Sequence, residues 1–85
     1  MENIVRAKQF VIDYFNNHDL NEEDEKIDEN DIELLSFSQA GLNWKMIFAM
    51  PYGLLYSLET TDDGNVYFSK YNKVGCSLYQ WKGSK

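Results

Sequence analysis

The sequence predicts an α+β fold, in which one N-terminal helix packs on an antiparallel meander sheet of four to five strands. Apolar residues recur at helical spacing near the start of the chain. Between residues 43 and 82, apolar and polar side chains alternate through four short stretches that are separated by turn sequences. Connections this short require antiparallel neighbours, because a parallel crossover takes about a dozen residues or more.

The helix is expected over residues 3–18. Its apolar residues are spaced three and four apart and form a wide stripe, which suits a helix lying across a sheet. The stripe consists of Ile4, Ala7, Val11, Phe15 and His18, widened by Phe10 and Tyr14 on one side and by Val5 and Ile12 on the other. Polar residues at 16–19 are expected to end the helix, since such side chains compete for its backbone hydrogen bonds.

The strands are expected at residues 31–38, 43–50, 54–60, 66–71 and 76–82. Asp63-Gly64, flanked by alternating apolar residues, is the clearest hairpin signal. Successive side chains of a strand point to opposite faces, so one face of the sheet is expected to contact the helix. The residues assigned to that face are Met46, Phe48, Leu54, Leu58, Val66, Phe68, Cys76 and Leu78. Phe48, Leu58 and Phe68 are expected to be buried together with Val11 and Phe15.

The last two strands also carry aromatic residues with polar tips, namely Tyr67, Tyr71, Tyr79 and Trp81. Alternation assigns all four to the opposite face of the sheet. Tyrosine and tryptophan tolerate a partly wet surface and are enriched at interface hot spots. We interpret these four residues as a candidate partner-binding surface. Cover by the helix or by a second copy of the chain is the alternative.

Length and composition indicate a single folded domain over residues 1–85, made of the helix, an acidic connector at 19–30 and the sheet at 31–82. The hydrophobic content of 44% excludes a disordered chain. The single cysteine allows no internal disulfide and favours a reducing compartment. Neither a signal peptide nor a transmembrane stretch is recognisable, so a cytoplasmic location is expected.

Residues 19–33, the acidic segment, contain nine Asp or Glu residues and one Lys, a local charge of −8 in a chain whose net charge is −6. Two interpretations are open. Dense like charges favour a solvated connector. Alternatively, a folded surface of carboxylates enters a basic groove that otherwise holds nucleic acid. The residues assigned to such a surface are Glu22, Glu23, Asp24 and Glu25.

No catalytic residue, cofactor or metal site is expected. Calcium loops starting at Asp19 or at Asp28 would place an acid where the loop needs glycine. Cys76 and His18 are the only residues of their kinds, but Cys76 falls among apolar residues and His18 at a helix C-terminus. The glycines stand singly and form no phosphate loop, and the net negative charge opposes direct nucleic-acid binding.

One helix followed by an antiparallel meander resembles the architecture of cystatin-like folds. Those inhibitors carry a Gln-x-Val-x-Gly hairpin tip, and residues 39–41 (Gln-Ala-Gly) are too short to match it. The resemblance therefore implies an architecture and does not imply protease inhibition.

By function, the sequence favours a non-enzymatic protein–protein interaction module, such as an inhibitor or anti-defence protein that docks on a basic surface of its partner. The alternative is a small-ligand-binding domain with an aromatic pocket between helix and sheet. A structural homodimer is a third interpretation. A closed apolar helix–sheet interface would favour the interaction module, and a concave cavity there would favour a ligand.

Overall fold

A computed structural model describes the backbone of residues 2–72 and 77–84 and the side chains of residues 3–72. It shows one N-terminal helix packed on an antiparallel sheet, which confirms the α+β fold. The elements are α1 (Glu2–Tyr14), a π-helical turn (Phe15–Asp19), a 3-10 turn (Glu29–Asp31), β1 (Glu33–Ala40), β2 (Asn43–Ala49), a second 3-10 turn (Pro51–Gly53), β3 (Leu54–Thr60), β4 (Asn65–Asn72) and β5 (Ser77–Ser84). None of the helices among these described residues is long and apolar enough to cross a membrane.

The strands form one sheet in chain order, β1-β2-β3-β4-β5, so each strand pairs with its neighbour in sequence. Ala40 and Asn43 pair directly across a two-residue loop, and Gly41 in that loop has φ +63°. A positive φ at the first loop position suits a tight hairpin. Gly64 has φ +81° in the loop between β3 and β4, where Asp63-Gly64 predicts a hairpin.

Strand β1 begins later than the alternation predicts. Its expected range was 31–38, whereas the strand spans Glu33–Ala40. Asp31 belongs instead to the preceding 3-10 turn, which Asp28 caps. A register shift between Leu34 and Ser36 then places Leu35 as an extra residue, the signature of a β-bulge. The strand lies at the edge of the sheet, and most of its residues are exposed.

The core lies between α1 and the helix-facing side of the sheet. All five residues expected there are buried, namely Val11, Phe15, Phe48, Leu58 and Phe68. The ring centroid of Phe68 lies 4.7 Å from that of Tyr14 and 5.0 Å from that of Tyr56. Aromatic rings from the helix and two strands therefore fill the interface.

The backbone of β5 pairs with β4, with Trp81 opposite the buried Phe68 and Lys82 opposite Tyr67. The side chains of Leu78, Tyr79 and Trp81 lie outside the described residues, so the faces assigned to them stay a prediction. Alternation orders side chains within a strand only. The alignment of neighbouring strands depends on the turn and on register shifts, which the sequence does not reveal.

Candidate functional site

The acidic segment is attached to the helix end by the side chain of Asn16. Asn16 Nδ2 donates to the carbonyl oxygen of Ile27 at 3.1 Å, and the N–H of Ile27 donates to Asn16 Oδ1 at 2.9 Å. One side-chain amide thus satisfies both backbone polar groups of a residue, as a neighbouring strand would. Ile27 also packs against the hydrophobic core. The acidic segment is therefore fastened near its middle, and Asn16 was not among the residues singled out from the sequence.

The polar residues at 16–19 form part of a π-helical turn. The N–H of Leu20 donates to the carbonyl of Phe15 at 2.9 Å, a spacing of five residues, and Phe15 is buried beneath the turn. Turns of this kind are rare and occur often at functional sites. This turn carries both Asn16, which holds Ile27, and Asp19, which contacts the sheet.

Asp19 forms an ion pair inside the fold. Its Oδ1 lies 2.9 Å from Lys70 Nζ, and the two side chains are only 14% and 16% exposed. The hydroxyl of Tyr56 donates to the other carboxylate oxygen of Asp19. Burial, together with this hydrogen bond, raises the pKa of Tyr56 above its usual value. The charge of Asp19 is thus compensated within the fold by Lys70.

Tyr52 holds the acidic segment from the side of the sheet. It lies in the turn between β2 and β3 with φ +66°, which is uncommon for a bulky residue. Its hydroxyl donates to the Asp24 carboxylate and accepts from the N–H of Asn21 at 3.4 Å. The bond to Asp24 raises the pKa of Tyr52. From the sequence, Pro51-Tyr52-Gly53 predicts only a turn, and nothing in it indicates the contacts of Tyr52 with the acidic segment.

Two further carboxylates shape the backbone of the acidic segment. Asp28 accepts a hydrogen bond from the N–H of Asn30 at 2.9 Å, and Asp31 accepts one from the N–H of Asp28 at 3.0 Å. This reciprocal arrangement is a capping box, which satisfies N–H groups at the start of the 3-10 turn. The second half of the segment is therefore ordered by its own acidic side chains.

The four acidic residues assigned to a partner surface, Glu22, Glu23, Asp24 and Glu25, lie together in one loop, residues 21–27, which we call the acidic loop. All four are exposed. Asp24 bonds to Tyr52, whereas the other three side chains form no hydrogen bond or ion pair within the described part of the chain. Both ends of the loop are fixed, at Asn21 by Tyr52 and at Ile27 by Asn16.

A groove of about 490 Å³ lies between the acidic loop and the turn that precedes β3. Its apolar lining comes from Leu20, Ile27, Pro51 and Tyr52. Its charged lining comes from Asp24, Glu25, Lys26 and Asp31. The groove therefore combines an apolar floor with an excess of negative charge.

The aromatic candidates lie elsewhere. Tyr67 and Tyr71 are half-buried in β4. They lie one and three positions from the buried Phe68, and side chains alternate along a strand, so both tyrosines lie on the sheet face away from α1. The Tyr67 hydroxyl lies 3.3 Å from the carboxylate of Asp63. The acidic loop packs on the helix side through Ile27, so the structure does not bring these tyrosines next to it. Tyr79 and Trp81 belong to β5, and their side chains lie outside the described residues.

Among the residues whose side chains are described, no three His, Cys, Asp or Glu side chains converge in a metal-binding arrangement. His18 is exposed, and its ring centroid lies 4.3 Å from that of Tyr14. Cys76, the other half of the catalytic pair considered from the sequence, lies outside the described residues.

Comparisons with protein-family models, curated proteins and solved structures find no match to this chain.

Proposed function

We propose that this protein is a non-enzymatic, cytoplasmic interaction module whose acidic loop docks on a basic surface of a partner protein, such as a groove that otherwise binds nucleic acid. The observation that carries the proposal is the fixed backbone of the loop. Asn16 holds Ile27 at one end, and Tyr52 holds Asn21 and Asp24 at the other. Carboxylates on a fastened loop present a defined surface, whereas carboxylates on a free connector present only diffuse charge.

Fastening the loop before binding favours association. Ordering the backbone of one residue costs about 1–2 kcal/mol, and ordering at an interface subtracts directly from affinity. Here the hydrogen bonds to Asn16 and Tyr52 order the loop when the domain folds. A partner would therefore meet a loop that is already close to its bound conformation.

The charge of the loop defines the chemistry of the partner. Glu22, Glu23 and Glu25 are exposed, and their carboxylates form no hydrogen bond or ion pair within the described residues. Opposite charges on two proteins steer their encounter and exclude partners of like charge. Basic grooves that bind nucleic acid are built to receive a row of negative charges, and closely spaced carboxylates supply such a row.

The helix–sheet interface gives no comparable support to the alternative function, a ligand pocket lined by aromatic residues. Phe15, Tyr56 and Phe68 are fully buried at this interface. Their rings contact one another, with centroid distances of 6.4 Å from Phe15 to Tyr56 and 5.0 Å from Tyr56 to Phe68. An interface filled in this way supports an interaction module, since ligand sites are concave and partly open.

The aromatic residues enter the proposal as a second contact area. Tyr67 and Tyr71 lie on the sheet face away from α1, so they would contact a different part of the partner or a second copy of the chain. Tyrosines suit such a role because they bury apolar area while keeping a polar tip in water.

The test uses the double variant Glu22→Gln/Glu23→Gln on a partner captured from lysate. Both side chains are exposed and form no hydrogen bond or ion pair within the described residues, so the fold is expected to stay unchanged. The association rate constant at low salt is expected to fall by about tenfold, with little change in the dissociation rate constant, because exposed charges act mainly on encounter. Duplex DNA is expected to displace the protein from its partner.

The matched control is Asp13→Asn/Glu59→Gln, which also removes two negative charges but from exposed positions outside the loop. If the control slowed association as much as the loop variant, net charge and not the acidic loop would be responsible. Binding that is insensitive both to salt and to duplex DNA would contradict the proposal.

A further inference from the structure

We propose that the groove beside the acidic loop receives an arginine side chain of the partner. This inference rests on the proposed function and names the group by which a basic partner is anchored. It comes from three properties of the groove: its apolar lining residues, the carboxylate oxygens that have no hydrogen bond, and the exposed ring of Tyr52.

The floor of the groove suits a long aliphatic stem. Leu20, Ile27 and Pro51 line it and are each half-buried against the rest of the fold. Its volume of about 490 Å³ lies within the range of small-ligand sites. Lysine and arginine bury their methylene stems on such surfaces while the charged head stays at the wet edge. The groove therefore fits one long cationic side chain.

Two carboxylates that line the groove, Asp24 and Asp31, are each held by a hydrogen bond through one of their two oxygens. Asp24 accepts the Tyr52 hydroxyl through Oδ2, and Asp31 accepts the N–H of Asp28 through Oδ2. Within the described residues, Oδ1 of Asp24 and Oδ1 of Asp31 have no further hydrogen-bond partner. With Glu25 they outnumber Lys26, the one basic residue of the groove. Oriented carboxylate oxygens are the acceptors that a guanidinium fork pairs with.

The ring of Tyr52 favours arginine over lysine. Tyr52 is 51% exposed, and its ring centroid lies 5.4 Å from that of the buried Phe15, which supports it from the protein side. A planar guanidinium stacks on an exposed aromatic ring and is more weakly hydrated than an ammonium group. The groove therefore offers arginine a stacking surface that lysine uses less well.

The experiment is an NMR titration of the ¹⁵N-labelled protein with hexa-arginine and with hexa-lysine, two peptides of equal charge. We expect the amide signals of Lys26, Ile27 and Tyr52 to move with hexa-arginine. We also expect hexa-arginine to bind about three- to tenfold more tightly than hexa-lysine, because only the guanidinium both stacks and pairs bidentately.

Two variants of Tyr52 separate the ring from its hydroxyl. Tyr52→Phe keeps the ring and releases Asp24, so the preference for arginine is expected to remain while both peptides bind more weakly. Tyr52→Ala removes the ring, so the preference is expected to disappear. The control is Phe37→Ala, which removes another exposed aromatic ring, in β1 and outside the groove, and is expected to leave both affinities unchanged.

The possible failures are distinguishable. Equal affinity for the two peptides, with signal changes confined to residues 22–25, would overturn the arginine groove and leave the acidic loop as the docking surface. A preference for arginine that survives in Tyr52→Ala would also overturn it. Absence of binding by both peptides at low salt would overturn the groove and the proposed function together.

Discussion

Replacing Phe68 by alanine removes a buried aromatic ring that packs against α1. Phe68 is fully buried, and its ring centroid lies 4.7 Å from Tyr14, 5.0 Å from Tyr56 and 5.5 Å from Phe10. Truncation of a buried phenylalanine lowers the free energy of unfolding by about 3–5 kcal/mol. A domain of this length has about 4–13 kcal/mol in total. The variant is therefore expected to lose a large fraction of its stability.

Thermal and urea unfolding, followed by far-UV circular dichroism, measure this loss. At about 4–8 °C per kcal/mol for a domain of this size, the thermal midpoint should fall by at least about 12 °C. The control is Tyr67→Ala in the preceding position of β4, where the side chain is half-buried on the other face and the expected loss of stability is much smaller. A midpoint for Phe68→Ala within a degree or two of wild type would refute the assignment of the core face.

Two further predictions concern the contacts that hold the acidic segment and the helix end. Asn16→Ala removes two hydrogen bonds to Ile27, each of which contributes about 0.5–1.5 kcal/mol. The hydrogen-exchange rate of the Ile27 amide should therefore increase about tenfold or more. An unchanged rate would show that Asn16 does not hold the loop. Tyr56→Phe tests pH dependence. The pKa of Tyr56 is raised by burial and by Asp19, so its stabilising contribution is fully present below about pH 10, the unfolded value, and is lost as pH rises towards the folded value. Urea unfolding between pH 8 and 11 should therefore show wild type losing stability relative to Tyr56→Phe, and a constant difference across that range would contradict the assignment.

The architecture could be predicted from the sequence because periodicity is a local property. The helical stripe through Val11 and Phe15 and the alternation through Phe48 and Phe68 each reflect one element packing on one surface. Strand alignment could not be predicted in the same way. The pairing of Trp81 with Phe68 depends on the path of the chain between two strands.

The sequence singles out the acidic residues of the loop but does not predict the contacts that hold it. The composition of residues 19–33 favours a solvated connector, because composition alone indicates only repulsion between like charges. The contacts that oppose repulsion join residues far apart in sequence: Asn16 with Ile27, and Tyr52 with Asp24. Such pairings follow from tertiary packing, and the contact partners of a single asparagine or of a tyrosine in a turn cannot be predicted from the sequence.

The central claim is that the acidic loop is an ordered surface held on the fold, and backbone ¹⁵N relaxation of wild-type protein tests it most directly. Order parameters for residues 21–27 are expected near those of β2 and β3, about 0.85, because both ends of the loop are hydrogen-bonded to the fold. Values below about 0.6 throughout residues 21–27 would contradict the claim, since the carboxylates would then belong to a mobile connector and not to a docking surface.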